Sequence, residues 1–210
     1  MTRARHHALL LAASLVVLAV GAWRAPYPEV WERISVVSAW LCLGLLAWAL
    51  LIGPLQCIQG VKPPFNIYLR RDVGIWAALH GLLHFYAGNV VAMNSVYVAA
   101  FVQTPTPELG IAIRDLLFSY GATVGMVIAI LFLLLLAISS DRALRWLGPK
   151  KWKWLQRSAH VSLWLTVTHG IAYQLLEMRI WPLVATVLVS VWIIVVQVRG
   201  RRAKALLKDC

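Results

Sequence analysis

The sequence predicts an all-α integral membrane protein, a bundle of six transmembrane helices with both termini in the cytoplasm, and three observations predict it. The first is composition: 61% of the 210 residues are hydrophobic and 13% are charged, against about 25% charged in a soluble domain, and mean hydropathy is +0.75. The second is spacing. Six apolar runs, each near the roughly 20 residues that cross a hydrocarbon core, use most of the chain and leave no separate soluble domain. The third is charge placement. With the N-terminus inside, sixteen of the twenty Lys and Arg fall in inner segments and only Arg24, Arg33, Arg114 and Arg179 outside, the bias that the positive-inside rule describes.

In chain order the runs are Ala8 to Trp23, Ile34 to Gly53, Asp72 to Met93, Gly121 to Ile138, Arg157 to Leu176 and Trp181 to Val198. The first stands behind Arg3 and Arg5, so its basic leader and the small residues from Ala19 to Ala22 also describe a signal peptide; a retained helix is the expectation. Gly53 and Pro54 are expected to close the second run, since both end helices well. Residues 1–33 thus read as a first helix with an outer loop, 34–198 as the main transmembrane domain and 199–210 as a basic cytoplasmic tail. Leu55 to Leu69 reads as a short loop with Pro63 and Pro64. Asn94 to Ser119 is the longest outer segment and contains Thr104, Pro105, Thr106 and Pro107; its apolar part, Val96 to Val102, is expected along the membrane surface. The inner loop Ser139 to Gln156 is dense in cations and aromatics, as suits anionic headgroups or a soluble partner, with headgroups the plainer expectation.

The formal charge of +12 does not point to nucleic acid, which needs a basic face on a soluble domain; here the cations lie between apolar runs. Cys42, Cys57 and Cys210 show no C-x-x-C or other metal-ligand spacing, and no role is expected for them.

The chemistry lies with the histidines. Arg70 to His84, RRDVGIWAALHGLLH, and Trp154 to His169, WLQRSAHVSLWLTVTH, carry imidazoles into the bilayer interior, where an ionisable side chain is costly without a partner and marks a functional site by default. At a rise of 1.5 Å per residue His84 lies about 18 Å along its helix from Asp72, and His169 about 18 Å from Arg157. Both helices run from inside to outside, so the two imidazoles reach the same depth and could grip one haem iron from opposite sides. A helix-to-helix hydrogen bond is the plainer alternative. His80, one turn before His84 and on nearly the same face, suits a supporting or packing role. His160, nine residues before His169, faces the other way and reads as a polar residue at a helix end, or as a ligand to a second, inner haem. His6 and His7 belong to the interfacial leader. The i, i+4 pair His80 and His84 also raises zinc, but the metalloprotease motif needs a Glu after the first His, and that position is Gly81.

RRDVGIW with LLH ending at His84, GPKKWKWLQR entering the fifth helix, and THGIAYQ around His169 resemble the ferric-reductase-like transmembrane domain family, which includes the haem b membrane subunit of the periplasmic methionine sulfoxide reductase system. The resemblance covers roughly Ile34 to Val198. It implies a six-helix haem-binding bundle that passes electrons across a bacterial-type inner membrane, with His84 and His169 as axial ligands to haem b. It also implies that Arg70, Arg71 and Arg157 pair with haem propionates or with headgroups. One departure stands out: in the methionine sulfoxide reductase haem subunits the resemblance implies a histidine on the fifth helix thirteen residues before the later one, and that position is Gln156. An amide is a poor replacement for an imidazole on haem iron, so one haem is expected and a second is not.

The stretch after Val198 has no room for a flavin and nicotinamide domain. The expected protein is therefore an oxidoreductase-type electron-transfer subunit. Its electrons would come from quinol, with quinone as a second cofactor, or from a separate flavoprotein, and would leave for a periplasmic redox protein, a ferric chelate or oxygen. A histidine-based metal or ion transporter and a non-redox membrane anchor are the rival classes. The third and fifth runs lack the Asp or Glu of a cation pathway beyond Asp72.

Overall fold

The computed structural model describes residues 3–61, 67–94 and 109–206. Among these it is all-helical: α1 Arg3–Arg24, α2 Val30–Ile58, α3 Ile67–Asn94, α4 Leu109–Ile138, α5 Asp141–Gln156, α6 Ser158–Leu176 and α7 Ile180–Leu206. Four are long and apolar enough to cross a membrane: α1, α2, the Ala112–Ile138 part of α4, and α7. The protein is an integral membrane protein of the helical type. Its large apolar side chains on α1, α4 and α7, such as Leu15, Leu133 and Leu188, are exposed, which a lipid environment accommodates and water does not.

The two remaining long helices are the polar ones. α3 spans 28 residues and α6 19, about 42 and 28 Å at the helical rise, and each carries ionisable groups that lower its hydropathy. Both are packed inside. α2 is the hub, touching α1, α3, α6 and α7, while α4 packs on α3 and α6. α1 is peripheral and buries only Ser14. The core between these helices is filled by Leu51, Phe132, Leu163 and Ile193.

Three elements differ from the sequence expectation. α2 does not stop at Gly53 and Pro54; it runs through Pro54 to Ile58. A proline removes one helical hydrogen bond, and here the lost turn is held from outside, since α7 lies so close that a Cβ on Gly200 would sit 2.6 Å from Pro54 Cα. The true stop is Gly60 at φ 74°, where Val61 N–H donates to the Gln56 carbonyl and Gly60 N–H to that of Cys57, a Schellman cap that needs a left-handed residue. α4 begins at Leu109 rather than Gly121, so part of the expected outer segment is helix. The expected inner loop is helix α5, opened by Ser140, whose Oγ accepts from Ala143 N–H at 3.0 Å, and bent at Gly148, φ 72°. Pro63 and Pro64, Val96 to Val102, Thr104 to Pro107 and Cys210 lie outside the described residues.

Candidate functional site

α3 and α6 bring His84 and His169 together. Their ring centroids are 5.8 Å apart and their planes stand at 82°. Each ring is fixed by its Nδ1. That of His84 lies 2.9 Å from the Ser35 carbonyl and 3.0 Å from Ser35 Oγ on α2, and that of His169 lies 2.8 Å from the Gly121 carbonyl on α4. A carbonyl oxygen can only accept, so Nδ1–H donates in both rings, and Nε2 is left as the nitrogen with a lone pair. This is the arrangement by which proteins orient metal-binding imidazoles.

Small residues make room for both rings. A Cβ on Gly125 would come 2.9 Å from His169 Cε1, and one on Gly121 2.6 Å from Tyr173 Cε2. Gly121 and Gly125 thus form a groove on α4 that receives His169 and Tyr173, one turn apart on α6, with those two rings 5.0 Å apart. On the other side Gly88 faces Ser35 Oγ at 3.5 Å from a built Cβ. One turn below His84, a Cβ on Gly81 would meet Phe132 Cε2 at 2.1 Å, so α3 and α4 are in closest contact beside the site. The G-x-x-x-G spacing of Gly121 and Gly125 is a known helix-packing signal, and it could have located this groove from the sequence.

The other expected residues lie elsewhere. His80 does not join the pair; it is buried against α1, with Nε2 2.8 Å from Ser14 Oγ and its ring tilted over Trp76. Four residues turn a helix by about 400°, and the 40° excess is enough to aim His80 at α1 while His84 faces α2. His160 lies in the first turn of α6, in electrostatic reach of Arg70 and Arg201. Arg70 Nε donates to the Ala49 carbonyl at 3.2 Å, one turn below the Pro54 interruption in α2. Arg71 is buried and its Nη1 donates to Asp141 Oδ1 at 2.6 Å. That bond, with the charge behind it, holds the Asp141 carboxyl below its usual range. Arg157 is exposed.

The leader histidines hold the largest surprise. Asp72 is fully buried and receives Arg3 at 3.0 Å, His6 Nδ1 at 3.2 Å and His7 Nε2 at 3.3 Å. Trp76 Nε1 donates to His7 Nδ1 at 3.2 Å, so both nitrogens of His7 are engaged. A buried carboxylate is tolerable only when so paired, and this cluster ties α1 to α3. No local pattern announces it, because the partners are 66 and 69 residues apart. At the opposite end Arg179 bridges Glu32, at 3.2 Å, and Glu177, and lies 4.4 Å over the Tyr27 ring. Burial pushes the Glu177 carboxyl above its usual range against the pull of Arg179, with Glu32 adding to the rise.

Among the described residues no group of three or more His, Cys, Asp or Glu could hold a bare metal ion, the His6, His7 and Asp72 cluster being closed by its own hydrogen bonds; a porphyrin supplies four ligands of its own and asks the protein for two.

No protein-family model matches the chain. It is similar to the protein-methionine-sulfoxide reductase heme-binding subunit MsrQ of Ralstonia nicotianae, with 28% identity over 127 residues, 60% of this chain and 52% of that protein. The chain thus spans about half the length of this relative.

Proposed function

We propose that this protein is a membrane electron-transfer subunit that holds one haem b between α3 and α6, with His84 and His169 as its axial ligands. The observation that carries the reading is the ring pair with both Nδ1 atoms committed to carbonyls. A metal–imidazole bond of about 2 Å on each side places two ring centres about 6 Å apart, and the observed 5.8 Å fits that span. The likeness to a protein named as a heme-binding subunit supports haem as the cofactor and a second protein as partner.

When bound, haem supplies a one-electron carrier within the low-dielectric bundle. The chain's own residues do the rest. His84 and His169 set ring orientation and ligand basicity, Ser35 and Gly121 hold them, and the apolar core of Phe132, Leu163 and Ile193 keeps water out. The bundle in this reading crosses the membrane six times, with α3 and α6 as the two crossings of lower hydropathy. Both termini are cytoplasmic, in a bacterial-type inner membrane. The donor is quinol or a separate flavoprotein and the acceptor a periplasmic redox protein. Arg70, Arg71 and Arg157 lie 12 to 14 residues below the ligands, about 18 to 21 Å along the axis. That is beyond the reach of a propionate from this level, so their work is at the basic end.

The test is the absorption spectrum of the purified protein, oxidised and dithionite-reduced. Soret and alpha bands that shift on reduction and disappear in His84→Ala and in His169→Ala are expected, with His80→Ala and His160→Ala retaining them. A colourless wild-type protein, or bands unchanged in both ligand variants, refutes the assignment.

A further inference from the structure

Helix α5 is a surface element without an assigned role. It buries no residue, and it exposes Arg142, Arg145, Lys150, Lys151 and Lys153. Its one carboxylate, Asp141, is engaged by Arg71. Two large rings stand out from it, Trp146 at 84% and Trp154 at 68% exposure. Gly148 at φ 72°, followed by Pro149, bends it into an elbow. The second half carries a groove of about 440 Å³ lined by Leu147, Lys150, Lys151, Trp154 and Leu155.

The position of the elbow is fixed by its neighbours. α4 ends at Ile138 and α6 begins at Ser158, and these two helices pack side by side, so the elbow leaves and returns at the same end of the bundle. It is fastened twice: Asp141 to Arg71 of α3, and Trp152 Nε1 to the Ile138 carbonyl at 2.8 Å. It cannot leave the level at which the membrane helices end. That level is the headgroup layer, where indole rings prefer to lie and where basic amphipathic helices bind anionic lipid.

We propose that α5 is a docking elbow for anionic phospholipid, with Lys150 and Lys151 on the headgroup phosphate and Leu147, Trp154 and Leu155 against the upper acyl chain. The mixture of cations with exposed indoles selects a lipid surface. A free phosphate would use the lysines and leave the rings idle, and a soluble acidic partner would have to cover both from the aqueous side. Each cation near an anionic leaflet is worth about a fivefold preference. The inference rests on the membrane placement of α4 and α6 and is independent of the haem reading.

The experiment uses the full chain in nanodiscs of phosphatidylcholine with one quarter phosphatidylglycerol, and counts the retained lipids by native mass spectrometry. Wild type is expected to retain phosphatidylglycerol well above its bulk share. Lys150→Gln/Lys151→Gln/Lys153→Gln should return the retained phosphatidylglycerol to its bulk share, and Trp154→Ser should cut the excess over bulk at unchanged charge. All four side chains are exposed, and a far-ultraviolet melt of each variant checks that it folds as wild type does. Wild type without enrichment, or equal enrichment in the triple variant, overturns the proposal. So does protection of Lys150 and Lys151 from amine labelling by inorganic phosphate in phosphatidylcholine alone, which would make this a site for a soluble anion.

Discussion

Gly81→Ala tests whether the contact between α3 and α4 sets the geometry beside His84. The added Cβ would lie 2.1 Å from Phe132 Cε2 and 2.4 Å from Cδ2, with Cys42 Sγ 3.1 Å away on the other side. Carbon atoms rest at about 3.5 to 4.0 Å, so the two helices must part by about 1.4 Å or the ring must turn. Phe132 is 2% exposed and packed within the core cluster, which leaves no space to turn into. Overpacking of this kind costs about 1–3 kcal/mol. The expected outcome is a loss of that size in a dodecylsulfate unfolding titration followed by circular dichroism. His84 is one turn further along α3, so a weaker grip on any ligand shared with His169 should accompany it. Phe132→Leu, which removes the clashing ring edge, should recover about 1 kcal/mol or more as a coupling term in the double-variant cycle, since residues in contact couple on that scale. A Gly81→Ala variant as stable as wild type, or a penalty that Phe132→Leu leaves untouched, would show that the helices are not in the contact described.

Three further outcomes follow from local geometry. Gly125→Ala places a methyl 2.9 Å from His169 Cε1 and should lower haem occupancy about tenfold or more, measured by titration of the haem-depleted protein, because disturbing what orients a ligand costs about 10- to 100-fold in affinity; unchanged occupancy would detach α4 from the site. Met178 ends α6 in the left-handed region, φ 55°, where a side chain costs about 1–2 kcal/mol, so Met178→Gly should stabilise the protein by about 1 kcal/mol in the same unfolding titration, and a loss would argue against that cap. The two shifted carboxyls should act on stability with opposite signs. Asp141, depressed from 3.8, contributes stability above that pH and loses it as pH falls through its folded value; Glu177, raised from 4.5, favours the folded state increasingly as pH drops from its folded value towards 4.5. Glu177→Gln should therefore raise stability at neutral pH, and Asp141→Asn should lower it there, each read from unfolding midpoints between pH 3 and pH 8.

The membrane class is legible in the sequence because composition is a sum over many residues and survives local error. The matched depth of His84 and His169 was legible too, because helical rise is constant and both distances were counted from charged residues at the same end. What failed were features decided by partners distant in the chain. Pro54 reads as a stop in isolation, and only Gly200 of α7, pressed against it, shows why the helix continues. The contacts of His6 and His7 with Asp72 are not legible, because nothing near these histidines in the chain points to that carboxylate. α5 reads as a loop from its density of cations, although Ser140, Asp141 and the apolar spacing of Ala143, Leu144 and Leu147 are helix start signals.

The same separation between local and distant causes explains how the histidine pair is built. A hydrogen bond between helices within a membrane averages only about 0.6 kcal/mol, so the Ser35 and Gly121 carbonyls do little to hold the bundle together. Their effect is directional: each fixes one ring nitrogen and thereby aims the other. Such bonds form only if backbones come close, and that closeness is supplied by residues without bulk, Gly121 and Gly125 for His169, Gly88 and Ser35 for His84, Gly81 between α3 and α4. In the proposed reading the small residues therefore carry the stabilising packing and the imidazoles the ligand. The two classes should be distinguishable in the ligand-free protein, where a bulkier residue at a glycine lowers the unfolding midpoint by overpacking, whereas His84→Gln or His169→Gln adds no bulk there and lowers the midpoint chiefly when ligand is present.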